Sequence, residues 1–144
     1  MTELAKKRQQ YRNIHPIADL PSYRMPAAAW TSILHRISGV IMFVLLPFIV
    51  WMLDRSLSSE ISYDAFTAVF RAGIGFVPGW FFKLMVLALI WSYLHHFVAG
   101  LRHLWMDLSH SAVNKKFGRN SALTTIVIAV VLTVVLGAKL FGLY

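Results

Sequence analysis

The sequence predicts an all-α membrane protein with three transmembrane helices in an up-down bundle, and two observations carry that prediction. Apolar runs at residues 30–53, 80–105 and 122–144 each reach the roughly 20 residues needed to cross a bilayer core. The chain is also 58% hydrophobic and only 14% charged, whereas soluble domains average about 45–50% apolar and about 25% charged residues.

The net charge of +8 raises the alternative of a nucleic-acid binder. The basic residues flank apolar runs and form no stripe with interleaved aromatics, so they point to membrane topology and to anionic lipid or a protein partner, not to nucleic acid. Cysteine is absent. That excludes thiolate-bound iron–sulfur clusters, thiolate zinc sites, disulfides and C-x-x-C-H haem attachment from this chain. A redox cofactor would have to bind through histidine, methionine or noncovalent packing.

The elements follow in order. Residues 1–29 form a polar arm with Lys6, Lys7, Arg8, Arg12 and Arg24. No apolar core of a secretory signal precedes Trp30, and Glu3, Asp19, Pro16, Pro21 and Pro26 interrupt any basic amphipathic transit helix. The arm reads as an irregular segment at the cytoplasmic surface, and residues 30–144 as the transmembrane domain. The first helix, 30–53, has an uncharged body in which Pro47 predicts a kink. Residues 54–79 connect to the second helix, with a short surface helix at 61–70 that Pro78-Gly79 is expected to end. The second helix, 80–105, finishes on His95-His96-Phe97-Val98-Ala99-Gly100-Leu101-Arg102-His103, with Asp107 beyond. Residues 109–121 read as a basic loop with Lys115, Lys116 and Arg119, and the third helix, 122–144, as scaffold rich in Val, Leu, Ile and Thr.

The basic bias places the amino terminus and the second connection in the cytoplasm, because the first connection carries only Arg55 and Arg71. This topology brings two polar clusters to one end of the bundle. Helix 1 begins there with Ser32, His35 and Arg36, and helix 2 ends there with His96 and His103. From His96 to Trp105 is about 13–14 Å at 1.5 Å per residue, so both clusters lie in the cytoplasmic half of the bilayer.

Within helix 2, His96, Gly100 and His103 fall at i, i+4 and i+7, which is one face. Ser32, Arg36 and Gly39 repeat that spacing in helix 1, with His35 beside them. A glycine on a polar face lets a flat or bulky group approach the backbone. Two opposed helices, each offering a histidine and a glycine, make a slot for a macrocycle, and neutral imidazole is a common axial ligand to haem iron. Arg36, His35 and His103 are suited to neutralise propionates. A charge such as Arg36 inside a membrane segment is costly unless an anion or polar ligand meets it. Ser32 and Arg36, one turn apart, offer the donors that quinone carbonyls need. His95 points about 100° away from His96 and reads as a packing or hydrogen-bonding group towards another helix. Arg102 and Asp107 are placed for snorkelling and headgroup contacts, and His15 and His110 for solvent.

The motifs Ser32-Ile33-Leu34-His35-Arg36-Ile37-Ser38-Gly39 and His96-Phe97-Val98-Ala99-Gly100-Leu101-Arg102-His103, followed by Asp107, resemble those of the cytochrome b large membrane-anchor subunit of succinate dehydrogenase, respiratory complex II. The resemblance extends to helix count and loop lengths over nearly the whole chain. It implies a bundle completed by a second, smaller three-helix anchor subunit, with haem b between the two. It makes His96 one axial ligand to the haem iron, places His35, Arg36 and His103 around the propionates, and gives Ser32 and Arg36 to the ubiquinone site. It further implies flavoprotein and iron–sulfur subunits as partners, passing electrons from succinate to ubiquinone at the bacterial inner membrane within the tricarboxylic acid cycle and respiratory chain, and a chain that is not catalytic alone. The arm departs from the family's early Arg-Pro, reading Arg12-Asn13-Ile14-His15-Pro16. Three rival readings stand beside this one. They are a fumarate reductase anchor working with menaquinol, a haem-free structural anchor, and an ion pathway built on His35, His96 and Asp107.

Overall fold

The computed structural model describes residues 15–19, 22–109 and 113–144. Lys6, Lys7, Arg8, Arg12 and His110, expected to set orientation or to face solvent, lie outside them. Six helices account for nearly all of the described chain: α1 (Pro16–Asp19), α2 (Ala27–Val44), α3 (Leu46–Leu57), α4 (Glu60–Ala72), α5 (Gly79–Leu108) and α6 (Lys115–Leu140). Of these, α2, α5 and α6 are long and apolar enough to cross a membrane.

The expected first helix is two helices. The break falls at Leu45, immediately before Leu46-Pro47 opens α3. Proline has no N–H to offer the carbonyl one turn back, and its ring crowds that carbonyl. Pro47 is therefore tolerated in the first turn of α3, where an N–H would be unpaired in any case. The following helix runs Glu60–Ala72, longer than the residues 61–70 expected. Ser59 caps it: its Oγ accepts from Ser62 N at 3.1 Å while Ser62 Oγ accepts from Ser59 N at 3.0 Å. Gly73, at φ 88°, ends α4. Pro78-Gly79 does not terminate it as expected but opens α5, with Pro78 as N-cap.

The third spanning helix also differs in extent. Asn114 Oδ1 accepts from Phe117 N at 2.8 Å, and this cap starts α6 at Lys115, inside what the sequence presented as a basic loop. Lys115, Lys116 and Arg119 consequently stand on the first turns of a helix.

The three spans pack through small and hydroxylic residues. Thr31, Ser38, Ser92, Ala99, Ala122, Thr125, Ala129 and Gly137 are all buried. In lipid there is no hydrophobic gain in bringing helices together, so close backbone approach and interhelical hydrogen bonds hold them. Thr31 Oγ1 donates to Ala122 O of α6 at 3.3 Å. A Cβ at Gly137 would lie 2.8 Å from Leu87 Cδ1, so α5 and α6 nearly touch there. Large apolar side chains point outward instead, Phe43 at 77% exposure and Val134 at 64% among them, as lipid-facing residues do.

Opposite contacts fix the register. His35 and Gly39 of α2 meet His96 of α5, while Met42, Ile49 and Met52 line one groove with Leu89 and Val86, so α2–α3 and α5 run antiparallel. Along α6, Ser121 faces Arg102, Gly137 faces Leu87, and Phe141 lies under the Lys83 ammonium at 5.6 Å, so α5 and α6 are antiparallel as well. At the far end an aromatic chain ties α3, α4 and the start of α5 together, through Phe48–Phe82 at 6.4 Å, Trp51–Phe66 at 5.8 Å and Phe70–Phe82 at 6.5 Å.

Candidate functional site

At the other end, where α2 begins and α5 finishes, three imidazoles gather. The His35 and His96 rings stack with centroids 4.1 Å apart and planes 22° from parallel. His103 lies 5.3 Å from His35. The helical spacing explains the set: His96 and His103 share a face of α5 and straddle His35 of α2.

The tautomer of His96 follows from its neighbours. Its Nδ1 lies 3.1 Å from His35 O and 3.3 Å from Ser38 Oγ. A carbonyl only accepts, and the Ser38 hydroxyl already donates to His35 O at 2.8 Å. Both neighbours therefore present lone pairs, so Nδ1 carries a proton, and in the neutral ring Nε2 keeps its lone pair. A histidine fixed through Nδ1–H on a backbone carbonyl is the usual arrangement of a metal-ligating imidazole. Among the described residues nothing bonds to that Nε2. His35 Nε2 is buried and also has no partner among them, the state of a polar atom that a ligand, ion or water would satisfy.

The glycines act differently from the expectation. Their spacing predicts gaps for a flat cofactor at Gly39 and Gly100, but each accommodates an imidazole of the opposing helix. A Cβ at Gly39 would lie 3.1 Å from His96 Cε1, and one at Gly100 would lie 3.8 Å from His35 Nε2. The two helices interlock reciprocally, histidine over glycine. Gly39 accordingly belongs to the α5-facing side with His35, not with Ser32 and Arg36.

Ser32 is half-buried and Arg36 is exposed. They lie one turn apart beside the imidazole cluster, on the outer surface of the bundle. The structure thus unites His35, His96 and His103 and sets Ser32 and Arg36 along the edge of that group. His95 turns the other way, as its angular position requires. It is 1% exposed, stacks on Trp91 at 5.5 Å and brings Nε2 to 3.5 Å from Thr31 O. Asp107 is exposed at the helix end. No group of three or more His, Asp or Glu side chains forms a metal cage among the described residues.

Arg102 departs from the headgroup role its position suggested. It is only 9% exposed. Its Nε donates to Ser121 Oγ at 2.9 Å and its Nη2 to Gly118 O at 3.3 Å, clamping the end of α5 to the start of α6. The sequence held a signal for this. Ser92, His95, Ala99 and Arg102 repeat at spacings of 3, 4 and 3, the seam of small and polar residues that packs membrane helices.

A family model for the succinate dehydrogenase/fumarate reductase transmembrane subunit matches residues 8–136. The chain is 34% identical over 119 residues to the succinate dehydrogenase cytochrome b556 subunit of Coxiella burnetii, covering 83% of this chain and 90% of that one. It is 32% identical over 91 residues to the subunit of the same name from Paracoccus denitrificans, covering 63% and 65% of the two chains. The Rickettsia felis subunit is 26% identical over 108 residues, covering 74% and 78%.

Proposed function

Because the chain belongs to the succinate dehydrogenase/fumarate reductase transmembrane subunit family, we propose that it anchors succinate dehydrogenase in the bacterial inner membrane, ligates haem b through His96 and builds part of the ubiquinone site with Ser32 and Arg36. The observation that carries this reading is the position of His96 Nδ1, 3.1 Å from the carbonyl His35 O, which calls for an Nδ1–H donor and so leaves Nε2 as the ligating nitrogen of the neutral ring. The partnerless Nε2 of His35, buried beside it, supports the same site. The relatives' names, which include cytochrome b556, supply the type of haem.

Bound there, haem b supplies a one-electron redox centre. The chain's own residues do the rest. Ser38 and His35 O hold the His96 ring in the ligating tautomer. His35 and His103 offer N–H donors to carboxylates beside it, and Arg36 offers a permanent positive charge. Ser32 Oγ–H and the Arg36 guanidinium donate to a quinone carbonyl, withdrawing charge from the oxygens that must be protonated. Quinone reduction takes two electrons and two protons. In this scheme electrons come from an iron–sulfur subunit that accepts them from a flavoprotein oxidising succinate. Protons enter from the end carrying Arg24, Lys115, Lys116 and Arg119, which the basic bias assigns to the cytoplasm. In the same scheme a smaller anchor subunit would cover the exposed Arg36 edge and would contribute a further residue to hold the haem.

A reduced-minus-oxidised absorbance spectrum of the purified complex, with succinate as reductant, tests this reading. The expected result is a b-type signal that His96→Leu abolishes or shifts; an unchanged spectrum in that variant removes His96 from the ligand set. Arg36→Leu should lower succinate–ubiquinone activity at least tenfold while succinate oxidation by an artificial dye persists. Equal retention of both rates sinks the quinone assignment. One observation favours a haem-free anchor as the second reading: the imidazoles already fill the space over Gly39 and Gly100. Under that reading no haem absorbance appears at all.

A further inference from the structure

We propose that the cleft between the first turns of α2 and α6 binds the phosphate of an anionic phospholipid, at a site separate from the imidazole cluster. The proposal stands whether or not haem is bound at that cluster. The cleft is open on one side and has a volume of about 960 Å3, within the roughly 300–1,000 Å3 typical of small-molecule sites. Lys115, Lys116 and Arg119 line one side of it, and Pro26, Ala27 and Leu123 contribute apolar surface. All three cations are exposed, and none has a carboxylate partner among the described residues.

The wall of the cleft is held in place from within the bundle: Arg102, nine-tenths buried, donates to the Ser121 hydroxyl and to the carbonyl of Gly118, itself a lining residue. Three cations thus line one cleft.

The rest of the surface identifies the anion as a lipid rather than a free ion. The cleft opens at the end of the spanning helices, where headgroups lie. From Leu123 an exposed apolar stripe continues down α6 through Val127, Val130 and Val134 at helical spacing. That stripe gives acyl chains a track starting at the cationic rim. Anionic headgroups attract juxtamembrane Lys and Arg with a strength equivalent to roughly fivefold in affinity per cation.

The test uses the delipidated, detergent-purified complex and native mass spectrometry. Short-chain phosphatidylglycerol, short-chain phosphatidylcholine and inorganic phosphate are titrated against the parent and against the Lys115→Gln/Lys116→Gln/Arg119→Gln variant. The expected result is selective binding of phosphatidylglycerol that weakens about 100-fold in the triple variant, with Arg71→Gln at the opposite end unchanged. If the triple variant does not assemble, Arg119→Gln alone should weaken binding about fivefold. Equal affinity for phosphatidylcholine, or equal affinity for inorganic phosphate, overturns the lipid assignment. So does a triple variant that keeps its lipid but sheds soluble subunits, which would make the cleft a protein docking surface.

Discussion

A single imidazole shows how tightly this site is determined. The His96 ring is held edge-on by His35 O at 3.1 Å and Ser38 Oγ at 3.3 Å, and it passes over Gly39 with its Cε1 3.1 Å from where a Cβ would stand. A methyl group at position 39 must therefore push the ring, and the ring can move only by lengthening its Nδ1–H bonds. At Gly100 the nearest atom, His35 Nε2, is 3.8 Å from the added Cβ, an ordinary contact. Gly39→Ala and Gly100→Ala should consequently differ although both glycines belong to matching motifs. Gly39→Ala is expected to lower the haem-to-protein ratio at least twofold and shift the absorbance maximum, at an overpacking cost of about 1–3 kcal/mol. Gly100→Ala should leave both close to the parent. Pyridine-haemochrome quantification of the two purified variants checks this; matching losses would mean that the glycines serve the cofactor's own approach instead.

At the scale of elements, the corner between α4 and α5 is the most constrained joint. Gly79 is buried, and a Cβ there would lie 2.7 Å from Phe70 O and 2.8 Å from Phe70 C. These are backbone atoms that cannot rotate away. Gly79→Ala should cost about 1–3 kcal/mol, and a thermal melt in detergent should show the lowered midpoint, with the haem spectrum of the surviving fraction unaltered because the corner lies at the opposite end. A melt identical to the parent would show that the corner relaxes freely. This joint also marks the limit of what was legible. The spans were readable because a bilayer demands long apolar runs, and the bend near Pro47 because proline removes a donor. Element ends were not readable from hydropathy. Ser59 and Asn114 set the starts of α4 and α6 through side-chain caps, and Gly73 sets the end of α4 through its φ of 88°. For the site, helical spacing separated His96 from His95 correctly. It did not reveal that the glycines seat histidines, because that depends on which residues face each other across α2 and α5. Nor did it reveal Arg102's partners, since Ser121 and Gly118 looked like loop residues.

At the scale of the molecule, the three spans bury little of themselves. Among the described residues the largest fully buried side chains are the polar His95, Thr31, Ser38 and Ser92. Beside the site, Arg36 is exposed on an otherwise apolar helix surface. An arginine facing hydrocarbon costs about 2.5–3.5 kcal/mol even on insertion scales, so the isolated chain presents a surface that favours cover by a further subunit. The cluster has the same incompleteness. His96 offers one ligand-ready Nε2, and His35, the nearest alternative, stacks face to face on it at 4.1 Å. Two rings stacked in that way would not hold one macrocycle from opposite sides, so under the proposed function a further ligand would be supplied by another chain. Expressed without partner subunits, the chain should therefore carry little haem, less than about a tenth of the ratio in the assembled complex, or haem with a five-coordinate, high-spin spectrum. Co-expression with the smaller anchor subunit alone should restore the low-spin signal, since that subunit is the one expected to cover the Arg36 edge. A stoichiometric low-spin spectrum from the chain by itself would place both ligands within it and require the His35–His96 stack to open. Electron paramagnetic resonance of the oxidised protein separates the two outcomes, because it distinguishes high-spin from low-spin ferric haem directly.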